Sequence, residues 1–497
     1  MQTFTNADMS DKGATKSGYA ISAWPDTRDI LARLYDLANK VPMLSIKREQ
    51  MERYLGYFEH KCIKSKAMTR AAMEFIPGGV QHNLAFNHPF PLAIQKAQGA
   101  YLWDVDGNRY IDFLQAGGPT VLGSNYAPVQ EKVIELLKEC GPVTGLFHEY
   151  ELKLAELINH YMPSVEMFRM LATGTEAVMG AIRAARTFTG KAKVIKMGGA
   201  YHGWSDQMVF GMRIPGIGAL EAHGIPAGCY EHTQECFPND IEALATMLKN
   251  NEALGGTAAV ILEPLGPESG TRPVIYEFNA CVRKLCDEYG ALLIFDEVVT
   301  GFRMGLGGAQ GFFGVKPDLT VFGKCVAGGY PAAGGVGGRR DVMQCFAAGI
   351  QGMKKRAMVG GTLSANPLSC AAGYFAIQAM AETEAPVRAG KAGDRLTAGL
   401  KEIIKHRDLP FVAFNHGSIC HLETAAAMLM DINNPKIFTE APERKHVMEE
   451  MGAAFTAEGI ISLAGSRLYT SLADSDEVID DALERFDRVL GSVAKEI

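Results

Sequence analysis

The ten cysteines are scattered from Cys62 to Cys420 and none stands in a Cys-x-x-Cys pair; the nearest two are Cys281 and Cys286. In a chain of 497 residues this argues against a disulfide scaffold or a zinc site, and free thiols in a reducing compartment are expected. No apolar run approaches the ~18 residues of a membrane-spanning helix. The N-terminal stretch lacks a basic segment followed by an apolar one, so no secretory signal is expected and the default reading is a soluble cytoplasmic protein. Positive charge is in short supply, with 49 basic against 56 acidic residues and a net charge of −7. That argues against a general surface for nucleic acid, while leaving room for a local phosphate pocket. Charged residues make up only 21% and apolar ones 47%, enough for a sizeable core in two or three domains. What is abundant is glycine, 54 residues, about 11% against a usual ~7%. Many sharp turns and close backbone approaches follow.

Residues 1–25 are small and polar and read as a mobile lead-in. From 26 to about 100 the pattern is a helical extension and the start of a small domain. Within it, Ile30, Leu31, Leu34, Leu37 and then Met51, Tyr54, Leu55, Phe58 recur at helical spacing, as if lying on another surface such as a second subunit. Asp106-Gly107-Asn108 between two short alternating runs is a hairpin signal. Residues 101–365 read as a large domain. Its flat apolar runs, Val194-Ile195, Ala258–Leu262, Leu292–Phe295 and Leu319–Phe322, alternate with helical stretches, the pattern of parallel strands buried on both faces. Residues 366–497 read as a C-terminal small domain. It opens on a helix over Leu368–Glu382, followed by strands at Ile419–Leu422 and Ile460–Leu463.

The stretch Leu292-Leu-Ile-Phe-Asp-Glu-Val-Val-Thr-Gly-Phe-Arg303 delivers Asp296 and Glu297 at the C-terminal end of a strand, where open α/β sheets place their ligands. A second apolar strand, Leu319-Thr-Val-Phe-Gly-Lys324, delivers a lysine. A charged lysine there is costly unless paired; it either reaches solvent or, deprotonated, serves as a nucleophile toward an aldehyde. Leu171-Ala-Thr-Gly-Thr-Glu176 puts Gly174 and Thr175 at a helix start, where free N–H groups and a hydroxyl suit an anion. Gly360-Gly-Thr-Leu-Ser-Ala-Asn-Pro367 is a second Gly/Thr turn before a helix. Ala200-Tyr-His-Gly-Trp204 offers an aromatic face. Each motif alone has an ordinary structural explanation. Together, an aldehyde-capturing lysine, a strand-end carboxylate, two phosphate cups and an aromatic platform suit pyridoxal 5′-phosphate.

The order and spacing of Phe295-Asp-Glu-Val-Val-Thr-Gly-Phe-Arg303, Phe322-Gly-Lys324, Gly337-Gly-Arg-Arg-Asp341 and Gly361-Thr-Leu-Ser-Ala-Asn-Pro367 resemble the class III (fold type I) pyridoxal-phosphate aminotransferases. Within them the chain is most similar to the glutamate-1-semialdehyde aminomutase group. The matching stretches run from Ile76-Pro-Gly-Gly-Val80 to Ser471-Leu-Ala-Asp474. The resemblance implies an α/β fold: a large domain with a mostly parallel central sheet flanked by helices, and a smaller α+β domain. It implies Lys324 as the Schiff-base lysine and proton shuttle, Asp296 as partner of the pyridine nitrogen, and Val298 behind the ring. It also implies Gly174 and Thr175 on the phosphate, with Thr362 from the neighbouring subunit of a homodimer, Tyr201 stacked on the ring, and Glu263 as an active-site glutamate.

The sequence departs from the aminomutase pattern on the substrate side. Ala85, in Gln81-His-Asn-Leu-Ala-Phe86, stands near the place of a substrate-binding arginine. Gln115-Ala-Gly-Gly-Pro119 replaces Ser-Trp-Gly-Pro, so an aromatic wall has shrunk to Gly117, and the gating glutamate is missing around Gly465-Ser-Arg-Leu-Tyr469. Arg467 in that stretch has the fork that suits a substrate carboxylate, or is a plain surface arginine; His82 and Asn83 are further pocket candidates. Ordinary ω-aminotransferases often have glutamine where Val299 stands, so the chain is not a plain member of that group either. The expected activity is therefore amino transfer from an amino acid, with the amine at a β or more distal carbon, to a keto acid. An aminomutase or an amino-acid racemase is the alternative.

Overall fold

A computed structural model describes residues 5–495 apart from 86, 142, 219–221, 348–354 and 436. Seven strands form the central sheet of one unit: β1 (Met167–Leu171), β2 (Lys193–Met197), β3 (Thr233–Cys236), β4 (Thr257–Leu262), β5 (Leu292–Asp296), β6 (Leu319–Gly323) and β7 (Gly334–Gly338). Their order is β1-β7-β6-β5-β4-β2-β3. Neighbours from β3 through β6 are parallel, while β7 runs antiparallel to both β6 and β1. The strands lack alternation because both faces are buried. Ile195, Val260, Leu262, Leu293 and Phe295 enter one apolar cluster, and Val194, Ala259, Ile261, Ile294 and Val321 enter the other.

The chain divides into two units: Met1–Arg28 with Ala127–Pro386, and Asp29–Tyr126 with Val387–Ile497. These cuts differ from those expected from the sequence. Residues 101–126 and their hairpin (Tyr101–Asp104 with Arg109–Asp112) pair through Arg109–Asp112 with the C-terminal strand Ile460–Ile461, so they fold with the second unit. Helix Pro367–Thr383 packs against helices Ala127–Glu139 and Glu149–Tyr161 and belongs to the first.

The apolar stripe of the helical stretch after residue 28 packs within its own unit. Leu34, Leu37, Met51, Tyr54 and Phe58 enter the second unit's own core beside Phe411, Phe455 and Phe486.

The lead-in is docked over its described part and not mobile as its composition suggests; residues 1–4 lie outside the described residues. Met9, Ala20 and Ile21 are buried. Asp11 accepts from Trp24 Nε1 (3.0 Å), Thr27 N (2.7 Å) and Tyr276 N (3.1 Å). The Trp24 ring packs against Tyr276, Phe312 and Phe313. Composition could not reveal this, because the docking relies on a few aromatic and capping residues without any period.

In the second unit, His416 on strand Val412–His416 is fully buried and its imidazole is pushed down to about 4 by that burial. Between pH 6.5 and 4 the unfolded chain then binds more protons than the folded one, so stability falls as pH drops through that window. Wild type is expected to lose up to ~3 kcal/mol more than His416→Phe across it. The pH dependence of the urea midpoint measures this, and parallel curves for the two proteins would refute it.

Candidate active site

The C-terminal ends of β5 and β6 carry the two residues with the strongest chemical potential. Asp296 ends β5 and is 5% exposed. One carboxylate oxygen accepts from Val298 N at 3.0 Å and the other contacts His202 Nδ1 at 2.7 Å. Burial lowers the pKa of His202, outweighing the pull of Asp296. The neutral ring then carries its proton on Nδ1 and donates to Asp296, while Nε2 is buried with no hydrogen-bond partner among the described residues. His202 received no role from the sequence. Its signal was the Tyr-His pair after a strand, which in loops is common.

Lys324 immediately follows β6 and is half-buried, with φ of +46° in the left-handed region. Such a conformation in a residue other than glycine costs ~1–3 kcal/mol and clusters at functional sites.

Helix Gly174–Thr189 begins beside these ends. Thr173 caps it by accepting from Glu176 N at 3.1 Å, and Glu176 reaches back to Ala172 N at 2.9 Å. The N–H groups of Gly174 and Thr175 are left outside the helix's own bonding, an electropositive cup. Val298 lines the space between that cup and β6. A Cβ on Gly174 would meet it at 3.1 Å, and one on Gly323 at 2.8 Å. Gly203, with φ of +82°, lies against the same helix start; a Cβ there would stand 2.5 Å from Thr175 Oγ1 and 2.8 Å from Thr175 Cα. Gly203→Ala is therefore expected to push the loop off the cup and weaken anion binding there at least tenfold, measured by phosphate protection in a thermal melt. Unchanged protection would contradict the cup.

Tyr201 keeps 44% of its surface exposed, and its N–H donates to Glu263 at 3.0 Å. Glu263 also accepts from Glu268 N (3.0 Å) and Ser269 N (2.7 Å). Burial, with the charges of Asp296 and Glu268 added, pushes its carboxyl up to about 8. With three backbone donors on its two oxygens, Glu263 acts on backbone before it can act on a ligand. Glu297 is likewise consumed internally: it accepts from Thr300 Oγ1, Ala309 N and both nitrogens of Gln310.

The first unit thus gathers Lys324, Asp296, Val298, Gly174, Thr175, Tyr201 and Glu263 around the C-terminal ends of the parallel strands. Thr362 lies in the same unit, in an exposed loop before helix Pro367–Thr383, which Asn366 caps. The remaining three expected residues belong to the second unit. His82 and Asn83 are exposed, and His82 Nδ1 accepts from Leu84 N at 3.1 Å. Gly117 faces Leu84, whose Cδ1 would lie 3.5 Å from a Cβ at that position. Arg467 is no surface arginine: it is 8% exposed, on strand Arg467–Tyr469, with the buried carboxyl of Glu423 as a neighbouring charge.

The sequence model of the class-III aminotransferases matches residues 84–490. The chain belongs to that family. Solved structures similar to this class-III aminotransferase include an omega-transaminase from Sphaerobacter thermophilus (28% identical, TM-score 0.78, 88% of this chain and 99% of that one). They also include a beta-phenylalanine aminotransferase from Variovorax paradoxus (26%, TM-score 0.76, 89% and 97%). A glutamate-1-semialdehyde aminomutase from Pseudomonas aeruginosa PAO1 shares the fold (22%, TM-score 0.75, 93% and 99%). The fold is that of the fold type I transferases, and the cofactor is pyridoxal 5′-phosphate, seen in a transaminase structure 27% identical to this chain. The residues fit the cofactor. A helix start with uncommitted N–H groups suits its phosphate, a buried carboxylate suits its ring nitrogen, and a half-buried amine suits its aldehyde. Among the described residues no helix is long and apolar enough to cross a membrane.

Proposed function

We propose that this class-III aminotransferase moves an amino group between two separate molecules, from an amino acid with its amine on a β or more distal carbon to a keto acid. The gathering of Lys324, Asp296 and the cup at Gly174 at the C-terminal ends of the parallel strands carries this reading. The bound cofactor supplies an aldehyde that captures the substrate amine and a ring that takes up the electron pair left when the adjacent C–H bond breaks.

The chain's own residues do the rest. With the cofactor bound, Lys324 Nζ would hold it between turnovers and, as a free amine, would carry the proton taken from the substrate carbon. Asp296 keeps the proton on the ring nitrogen, and the neutral His202 fixes the carboxylate's orientation. Gly174 and Thr175 bind the phosphate, with Thr362 contributed by the second copy of a homodimer. Val298 and Tyr201 would hold the ring of the bound cofactor. On the substrate side, Arg467, His82 and Asn83 are the proposed contacts, Arg467 for a carboxylate. Ala85 and Gly117, where aminomutases have an arginine and an aromatic wall, favour exchange with a second molecule over internal exchange. Two of the similar structures carry transaminase names of the ω and β kind.

The test follows the visible absorbance of the bound cofactor on mixing with α-, β- and ω-amino acids in the absence of acceptor. Bleaching by β- or ω-amino acids, restored by a keto acid, is the expected result. Conversion of one compound to its isomer with no acceptor present would make the protein an aminomutase or racemase instead.

A further inference from the structure

The lysine on β2 has no part in the chemistry above, yet its burial is complete. Lys196 is 0% exposed and its Nζ donates to three backbone carbonyls, Ala200 O (2.9 Å), Met208 O (3.0 Å) and Phe210 O (2.8 Å). An ammonium has three protons, and each has an acceptor. All three lie in the loop that carries Tyr201, His202 and Gly203. From the other side, Glu263 on the segment after β4 accepts from Tyr201 N at 3.0 Å. Ala200 O and Tyr201 N belong to one peptide group. The buried lysine thus holds its carbonyl and the buried Glu263 carboxyl holds its N–H.

We propose that Lys196 and Glu263 are paired positioning residues that clamp the Ala200–Tyr201 peptide and thereby aim the Tyr201 ring and hold the His202 imidazole against Asp296. A peptide plane is rigid, so fixing both its ends removes the crankshaft rotation that would swing residues 201 and 202. The next residue is the one whose Nδ1 meets Asp296 at 2.7 Å. Two features argue that the clamp serves more than the fold. Burying an ammonium and a carboxyl group is costly, and apolar residues of similar volume would pack these positions as well or better. In addition, Glu268 and Ser269, which supply the other two N–H groups on Glu263, stand at φ of +53° and +59° although neither is glycine. Strain of that kind persists where geometry is over-determined for a site.

The experiment uses the cofactor-loaded protein and its cofactor-free form, with Lys196→Met, Glu263→Gln and the double variant. Cofactor affinity is read by equilibrium dialysis, and the pH midpoint of the bound cofactor's visible band by titration. Each single variant is expected to bind cofactor at least tenfold more weakly and to shift the midpoint by half a pH unit or more. The double variant should lose less than the product of the two single losses, because one peptide is released only once. Variants that melt near the wild type but keep its affinity and midpoint would overturn the proposal, as would independent losses that multiply. Hydrogen exchange on the wild type gives a test free of any substitution. The Tyr201 amide should exchange as slowly as those of β5, and a fast Tyr201 amide would overturn the clamp even if no variant folds. No substrate enters these measurements, so they stand apart from the identity of the amino donor.

Discussion

Lys324→Ala is expected to lose turnover by ~10⁴-fold or more, because it removes both the amine that holds the cofactor and the group that moves the proton. The variant should still bind cofactor through the cup at Gly174 and Thr175, since the helix start is built by Thr173 and Glu176 and does not involve the lysine. Folding should be little affected. Lys324 is half-buried, and its left-handed φ of +46° is a strain that alanine inherits without relief. Borohydride reduction of the wild type followed by peptide mapping should leave the cofactor attached at position 324. Retained activity in the variant, or a label on another lysine, would remove the basis of the assignment.

Asp296→Asn is expected to lower the rate by about three powers of ten, the scale found when a preorganised charge is removed from a reacting centre. The amide keeps the size and can still accept from Val298 N, but it no longer favours a proton on the ring nitrogen. Its neighbours respond in a defined direction. The charge of Asp296 is one of the causes that hold Glu263 high, so in the variant Glu263 ionises at lower pH. A carboxyl raised in the folded state contributes stability at low pH that is lost as pH rises through its folded pKa. For Glu263 this window runs from the ordinary carboxylate range up to about 8. The Asp296→Asn protein should therefore resist alkaline unfolding better than the wild type while turning over far more slowly. A variant of normal rate, or one less stable in alkali, would contradict the placement of this charge.

Arg467 and Lys196 show opposite failures of local reading. Arg467 invited the choice between a surface residue and a carboxylate grip, and the structure buries it beside Glu423. Whatever it binds must compete with a resident counter-charge. Lys196, flanked by Ile195 and Met197, carries no motif that marks it in the sequence. Its true environment is three carbonyls that follow it at positions 200, 208 and 210, in a loop whose path has no sequence period. The strand Gly334–Gly338 was missed for a related reason. Four glycines in five residues argue against a strand by propensity, yet a Cβ on Gly335 would meet Phe168 Cζ at 2.5 Å and one on Gly337 would strike Val165. Side chains occupy the space at positions 335 and 337, and the backbone carbonyls of Thr173 and Asp318 occupy it at Gly334 and Gly338.

The sequence by itself determined the parallel strands, the strand-end Asp296 and Lys324, the helix start at Gly174 and, through their order, the family and its cofactor. These depend on hydrophobic period and on motifs that act over a few residues, which the chain writes locally. Tertiary structure alone decided where the units divide, that the lead-in docks through Asp11 and Trp24, and that His202, Lys196 and Glu263 converge on one loop. Those outcomes depend on which distant groups satisfy a buried charge, and that pairing exists only once the chain has crossed itself.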